Sequence, residues 1–197
     1  MKRPGIIFSL LAIAMLLAGC VVSSVYPFYT EKDLVFDPSL PGGWNLMSTQ
    51  NIEDTNGFVQ FQTLGKSSYF MGMKMSDNET DWYEAHLFVL KGQLFMDEQL
   101  PVTNQCFGQG FIAEHYVCKV TKLPNSLELD WLRLDWLDDL LKKDSHAIRH
   151  MVVYDTPDNT NGTTVLTADT EELQKFILKY STDTNAFFEM KYIKAKQ

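Results

Sequence analysis

The chain has 197 residues, 45% of them hydrophobic and 13% aromatic, with a formal charge of −8 at pH 7. That length suits one domain with a substantial core, and the hydrophobic content excludes a chain that is mostly disordered. The acidic balance is repelled by phosphate backbones and by anionic lipid surfaces, which argues against a nucleic-acid-binding role.

The first twenty residues decide where the rest resides. Lys2 and Arg3 form a basic start, Ile6 to Ala18 is an uncharged and largely apolar run, and Ala18-Gly19 places small residues before Cys20. This is the layout of a cleaved signal peptide. As a helix the run would span about 20 Å, short of the roughly 30 Å hydrocarbon core of a bilayer. Leu16-Leu17-Ala18-Gly19-Cys20 resembles the lipobox of bacterial lipoproteins. The resemblance implies cleavage after Gly19, a diacylglycerol on the Cys20 thiol and acylation of the new amine with a fatty acid such as palmitate. One acyl chain holds a protein weakly to a membrane and two or more hold it stably. The division predicted is a leader at 1–19, a lipidated tether at 20–43 and a single globular β-rich domain at 44–197.

The tether carries Pro27, Pro38, Pro41 and Gly42-Gly43 without a helical period, and its Val, Tyr and Phe content predicts partial docking on the domain. From Trp44 onward, short alternations of apolar and polar residues are separated by Asn, Asp and Gly clusters, as an all-β body requires. Predicted strands include Phe58 to Gln62, a run presenting Tyr69, Met71, Met73 and Met75 on one face, and Trp82 to Lys91 turning at Gly92 into Gln93 to Asp97. Phe111 to Lys122, Ser126 to Leu134, Ile148 to Tyr154, Thr163 to Leu166 and a last strand with Phe188, Met190 and Tyr192 on one face complete the series. Nine or ten strands are more than a flat sheet holds without curling. Two short amphipathic helices interrupt them. One is capped by Asp135, with Trp136, Leu137, Leu140 and Leu141 on one side. The other is capped by Asp169, with Leu173, Phe176, Ile177 and Tyr180 at helical spacing. The fold class predicted is mainly β (α+β), an antiparallel lipocalin-like β-barrel or strongly curled sheet with two packed helices.

Several stretches resemble a group of bacterial lipoproteins of unassigned chemistry. They are Ser24-Val25-Tyr26-Pro27-Phe28-Tyr29, Leu40-Pro41-Gly42-Gly43-Trp44, Ala85-His86-Leu87-Phe88 with Phe95-Met96-Asp97, and His115-Tyr116-Val117-Cys118-Lys119-Val120 ahead of Asp135-Trp136-Leu137. The resemblance implies a lipid-anchored domain and no particular activity. Gly43-Trp44, with Gly42 before it, also resembles the Gly-x-Trp of lipocalins, which favours a closed barrel over a sandwich. In sorted lipoproteins an aspartate after the lipid cysteine signals inner-membrane retention. Val21 stands there, which points to the outer membrane with the body facing the periplasm.

Candidate chemistry is sparse. His86 and His115 fall mid-strand and are the candidate functional residues, either as a hydrolase's histidine with an acidic neighbour or as buried hydrogen-bonding groups. Cys106 and Cys118 form a disulfide in an oxidising compartment or stay as buried thiols, and the sequence leaves both open. His146 and His150 have the four-residue spacing of a helical metal pair, but the helix ends before them and no third ligand is placed, so no metal site is assigned. Met71, Met73 and Met75 read as a core stripe, and the aspartates at 130, 135, 138 and 139 as solvated and capping groups rather than a calcium loop. No serine-nucleophile elbow, phosphate loop or zinc-protease motif is present. No cofactor is implied. The reading is a non-catalytic binding or scaffolding module, with a small apolar ligand or an envelope protein as partner. A structural or assembly partner for envelope proteins and, less favoured, a hydrolase are the alternatives.

Overall fold

The computed structural model describes residues 21–47, 53–75, 79–100, 114–154 and 162–196. Eight antiparallel strands close into a barrel: β2 (Gly42–Met47), β3 (Glu53–Leu64), β4 (Ser68–Lys74), β5 (Asp81–Leu90), β6 (Gln93–Gln99), β7 (His115–Leu123), β8 (Ser126–Leu132) and β11 (Phe187–Lys194). Each pairs with the next in that order, and β11 pairs back onto β2. The closed barrel expected from the strand count and from Trp44 is what forms, and closure removes every open edge from these eight strands.

Between β8 and β11 the chain inserts α1 (Leu134–Lys143), β9 (His150–Val153), β10 (Thr163–Leu166) and α2 (Thr170–Tyr180). A short β1 (Ser23–Ser24) joins this insert to the barrel. It pairs antiparallel with the start of β7 (Ser24↔His115) and parallel with β10 (Ser24↔Leu166). The segment predicted as a docked tether is therefore part of the sheet, with Val22, Phe28 and Leu40 fully buried.

Period-two alternation sorts the side chains into two cores. Inward-facing residues such as Trp44, Phe61, Tyr69, Met71, Leu129 and Tyr192 fill the barrel. Outward-facing residues of β5 to β7, among them Phe88, Phe95 and Val117, meet Leu137 and Leu141 of α1 and Leu173, Phe176 and Ile177 of α2. Met71 and Met73 belong to the inner stripe, as expected. Asp169 caps α2 by accepting from the Glu172 N–H at 3.0 Å. At α1 the expectation needs correction: Arg133 occupies the N-cap position, and Asp135 lies inside the first turn. There Asp135 accepts from the Trp136 N–H and from Arg133 Nε, both at 2.9 Å.

Turn chemistry fixes the registers. Lys91 (φ 48°) and Gly92 (φ 82°) both lie in the left-handed region, so they make a two-residue hairpin turn that pairs Leu90 with Gln93 and His86 with Asp97. The β3–β4, β5–β6 and β7–β8 turns lie at one end of the barrel, the far end. The last residues of β2, β4, β6 and β8, the first residues of β5, β7 and β11, and the start of α1 lie at the other, the near end.

Residues 34–41 close the far end. Val35 N–H donates to the Leu87 carbonyl at 2.9 Å, Asp37 N–H donates to the Tyr69 hydroxyl at 2.7 Å, and Trp44 Nε1 donates to the Leu40 carbonyl at 3.0 Å. Lys194 Nζ lies 4.1 Å above the Trp44 ring, a cation–π contact that pins the last strand to the first strand of the barrel.

Candidate functional site

The two candidate histidines sit on the outer wall, beneath the N-terminal segment. His115, the first residue of β7, places Nδ1 2.7 Å from Asp97 Oδ1. The second Asp97 oxygen accepts from the Phe28 N–H at 2.8 Å. Asp97 has no accessible surface, and these bonds are what make a buried carboxylate tolerable there. His86 lies directly across from Asp97 in the β5–β6 register. Its ring stacks on Tyr29 at 4.7 Å, and Nε2 lies 3.5 Å from Glu84 Oε1. Among the described residues His86 Nδ1 is buried without a partner. Burial pulls the His86 imidazole below its usual value against the opposing charge of Glu84. Burial, with Asp97 adding to it, pushes the Tyr29 hydroxyl up to about 12.

The segment over this cluster is held from both sides. Thr170 Oγ1 of α2 donates to the Pro27 carbonyl at 2.8 Å. Gln174 Nε2 donates to the Phe28 carbonyl at 3.1 Å and to Asp33 Oδ2 at 2.9 Å. The structure thus brings His86, His115 and an acidic partner together, and covers them with Phe28 and Tyr29. An acid–histidine pair is half of a hydrolytic triad. Among the described residues no hydroxyl or thiol hydrogen-bonds to either imidazole. What the arrangement does on its own terms is fasten the N-terminal segment to the barrel.

A second polar group lies inside the barrel. Glu98 follows the inward alternation of Leu94 and Met96 and is 2% exposed. It accepts from Trp131 Nε1 at 3.4 Å and from Cys118 Sγ at 3.6 Å. Burial pushes its carboxyl up to about 8, against the pull of those two donors. At neutral pH it is therefore a carboxylic acid and carries no charge. Burial and the nearby Glu98 also raise the Cys118 thiol well above its ordinary value, so it is not a reactive thiolate. Cys118 is a free thiol. Its candidate partner Cys106 and the lipidation candidate Cys20 lie outside the described residues.

The remaining candidates disperse. His146 follows α1 in a turn and His150 opens β9, so they share no helical face, and His150 Nδ1 is 2.9 Å from the Ile148 carbonyl. Among the described residues no three His, Cys, Asp or Glu side chains converge as metal ligands. Sequence reasoning missed Asp97 as the histidine partner and Glu98 as an interior acid. The Gly92 turn would have placed Asp97 opposite His86, and the Leu94, Met96, Glu98 alternation would have placed Glu98 inside.

Two surface depressions accompany these clusters. One, of about 470 Å³, lies on the outer wall among Met47, Leu123, Pro124, Lys191 and Ile193, with Tyr192 at its floor. The other, of about 360 Å³, lies between the helices among Trp136, Leu140, Lys143, Tyr180 and Asn185. Neither includes His86 or His115.

Comparison with protein-family models, curated proteins and solved structures finds no match to this chain. Its class rests on its own geometry: a closed, eight-stranded, lipocalin-like antiparallel barrel with a two-helix insert before the last strand.

Proposed function

We propose that this protein is a lipid-anchored module of the bacterial cell envelope, held at the outer membrane through Cys20 and facing the periplasm. There it works without catalysis, as a scaffold that engages other envelope proteins through its outer wall. The observation that carries the scaffold reading is the close packing of the middle of the barrel; towards the near end the inward-facing Met73, Tyr83, Phe188 and Met190 are half-buried. Trp44, Tyr69, Met71 and Met96 have no accessible surface, and Phe61, Leu87 and Tyr192 have 1% each. A void large enough for even one water would leave accessible surface on the side chains lining it. A carrier of apolar molecules needs several hundred cubic ångströms of enclosed space, so the packing favours a scaffold over a carrier.

The outer wall supplies contact surface. Leu123 is 57% exposed and Ile193 37%, both beside the depression along β11. The covered histidines and the acid held neutral inside the barrel support a non-catalytic role. A photo-crosslinker at Ile193 in living cells tests the reading. Capture of a discrete envelope protein is expected, and native mass spectra of the purified protein should carry no small molecule. A copurifying apolar ligand with no protein adduct would replace scaffold by carrier.

A further inference from the structure

The chain enters the described structure already inside the fold. Val21 forms an antiparallel bridge with Arg133, and the Val22 N–H donates to the Leu132 carbonyl at 3.0 Å. Position 20 is one Cα–Cα step, about 3.8 Å, from Val21. A lipid at that position therefore has no free linker separating it from the body. A flexible linker of about twenty residues would instead let the body range roughly 25 Å from its anchor.

Topology fixes which end of the barrel that lipid meets. Arg133 lies between the last residue of β8 and α1, and its N–H donates at 2.9 Å to the carbonyl of Ala186, the residue before β11. Both strands meet the near end there, so Val21, the residue next to the lipid site, lies at the near end. Trp136, three residues beyond Arg133, forms one wall of the depression between the helices. Its ring meets Tyr180 edge-on at 4.9 Å, and its Nε1 donates to Asp183 at 3.2 Å. Aromatic side chains with a polar edge suit the headgroup layer of a bilayer. Asp135 and Asp139 border the same region and pair there with Arg133 and Lys142, and Lys143 lines the depression, so this surface carries both signs. The net charge of −8 opposes a surface of net negative charge, which leaves a zwitterionic one.

We propose that the lipid at position 20 seats the barrel end-on against a zwitterionic bilayer, with the near end and its Trp136–Tyr180 depression at the headgroups. The turns at Gly65, Lys91-Gly92 and Pro124-Asn125 then face away from the membrane. This rests on the lipid-anchor reading above, and it adds a fixed orientation that the reading alone does not require.

The test uses the protein as processed in cells that express the whole chain, purified from membranes and placed in vesicles of phosphatidylethanolamine and phosphatidylcholine. Benzoylphenylalanine is introduced singly at Asn185, at the near end, and at Lys66 and Lys91, at the far end; all three positions are exposed. Irradiation is expected to yield lipid adducts from Asn185 and none above background from Lys66 or Lys91. Intact mass of the same samples reports acylation. Acylated protein whose adducts are equal at both ends, or confined to the far end, overturns the orientation and leaves the anchor standing. Unacylated protein overturns both.

Discussion

Replacing Glu98 with glutamine isolates the cost of holding an acid inside the barrel. The folded protein keeps this carboxyl protonated up to about pH 8, whereas the unfolded chain releases the proton at its ordinary value of 4.5. A group whose folded-state value is raised stabilises the fold most at low pH. That contribution is lost as the pH rises from 4.5 towards 8, because the unfolded chain can ionise and the folded one cannot. At pH 7 the two and a half pH units above the unfolded value, at about 1.4 kcal/mol each, amount to roughly 3 kcal/mol. Glutamine keeps the shape and the acceptor for Trp131 and has no proton to lose. Its extra amide hydrogen adds a cost that does not vary with pH. Urea unfolding of both proteins at pH 5 and pH 8 is the assay. The stability of E98Q relative to wild type is expected to rise by about 3 kcal/mol or more between those values. A difference that stays constant across the range would refute the assignment of Glu98 as a buried neutral acid.

Two further substitutions probe the fastening and the barrel wall. Asp97→Ala leaves the His115 ring and the Phe28 N–H without their shared acceptor, and is expected to destabilise the fold by about 2–4 kcal/mol. Loosening of the segment over β5 and β6 should also speed tryptic cleavage at Lys32, which is exposed but held in a helical turn in the folded protein. Unchanged proteolysis at Lys32 would mean that the acid does not hold the segment. Gly72→Ala puts a Cβ 2.7 Å from the Trp82 ring, which stacks on Phe70 at 4.6 Å. A loss of about 1–3 kcal/mol is expected, with a shift in tryptophan emission. An unshifted emission spectrum would contradict the contact.

What could be read from the sequence, and what could not, divides by the range of the interaction. Strand and helix identity came from local periodicity: Thr163 to Leu166 was placed residue for residue, and the inward face of the last strand was correct. The facing of His86 and Asp97 was also within reach, because a two-residue turn at Lys91-Gly92 sets every later pair on that hairpin. Long-range pairings left no such mark. Ser24 meets Leu166 across 142 positions, and a two-residue strand carries too little pattern to announce itself. β6 ends at Gln99 and β7 begins at His115, a separation too long for a turn type to set the register. The α1 start was misplaced because an aspartate two residues into a helix satisfies the first-turn charge preference as well as the cap preference. The Asp97–His115 pair depends on the β6–β7 register alone, so of this cluster only the facing of His86 and Asp97 could be derived from sequence.

The claim on which anchoring and orientation both depend is the processing at position 20. Intact-mass analysis of protein extracted from the membrane fraction tests it most directly. The account requires a chain that begins at Cys20 and is heavier than its amino-acid sequence by a diacylglyceryl group and an acyl chain. A full-length, unmodified polypeptide recovered in the aqueous fraction would contradict it.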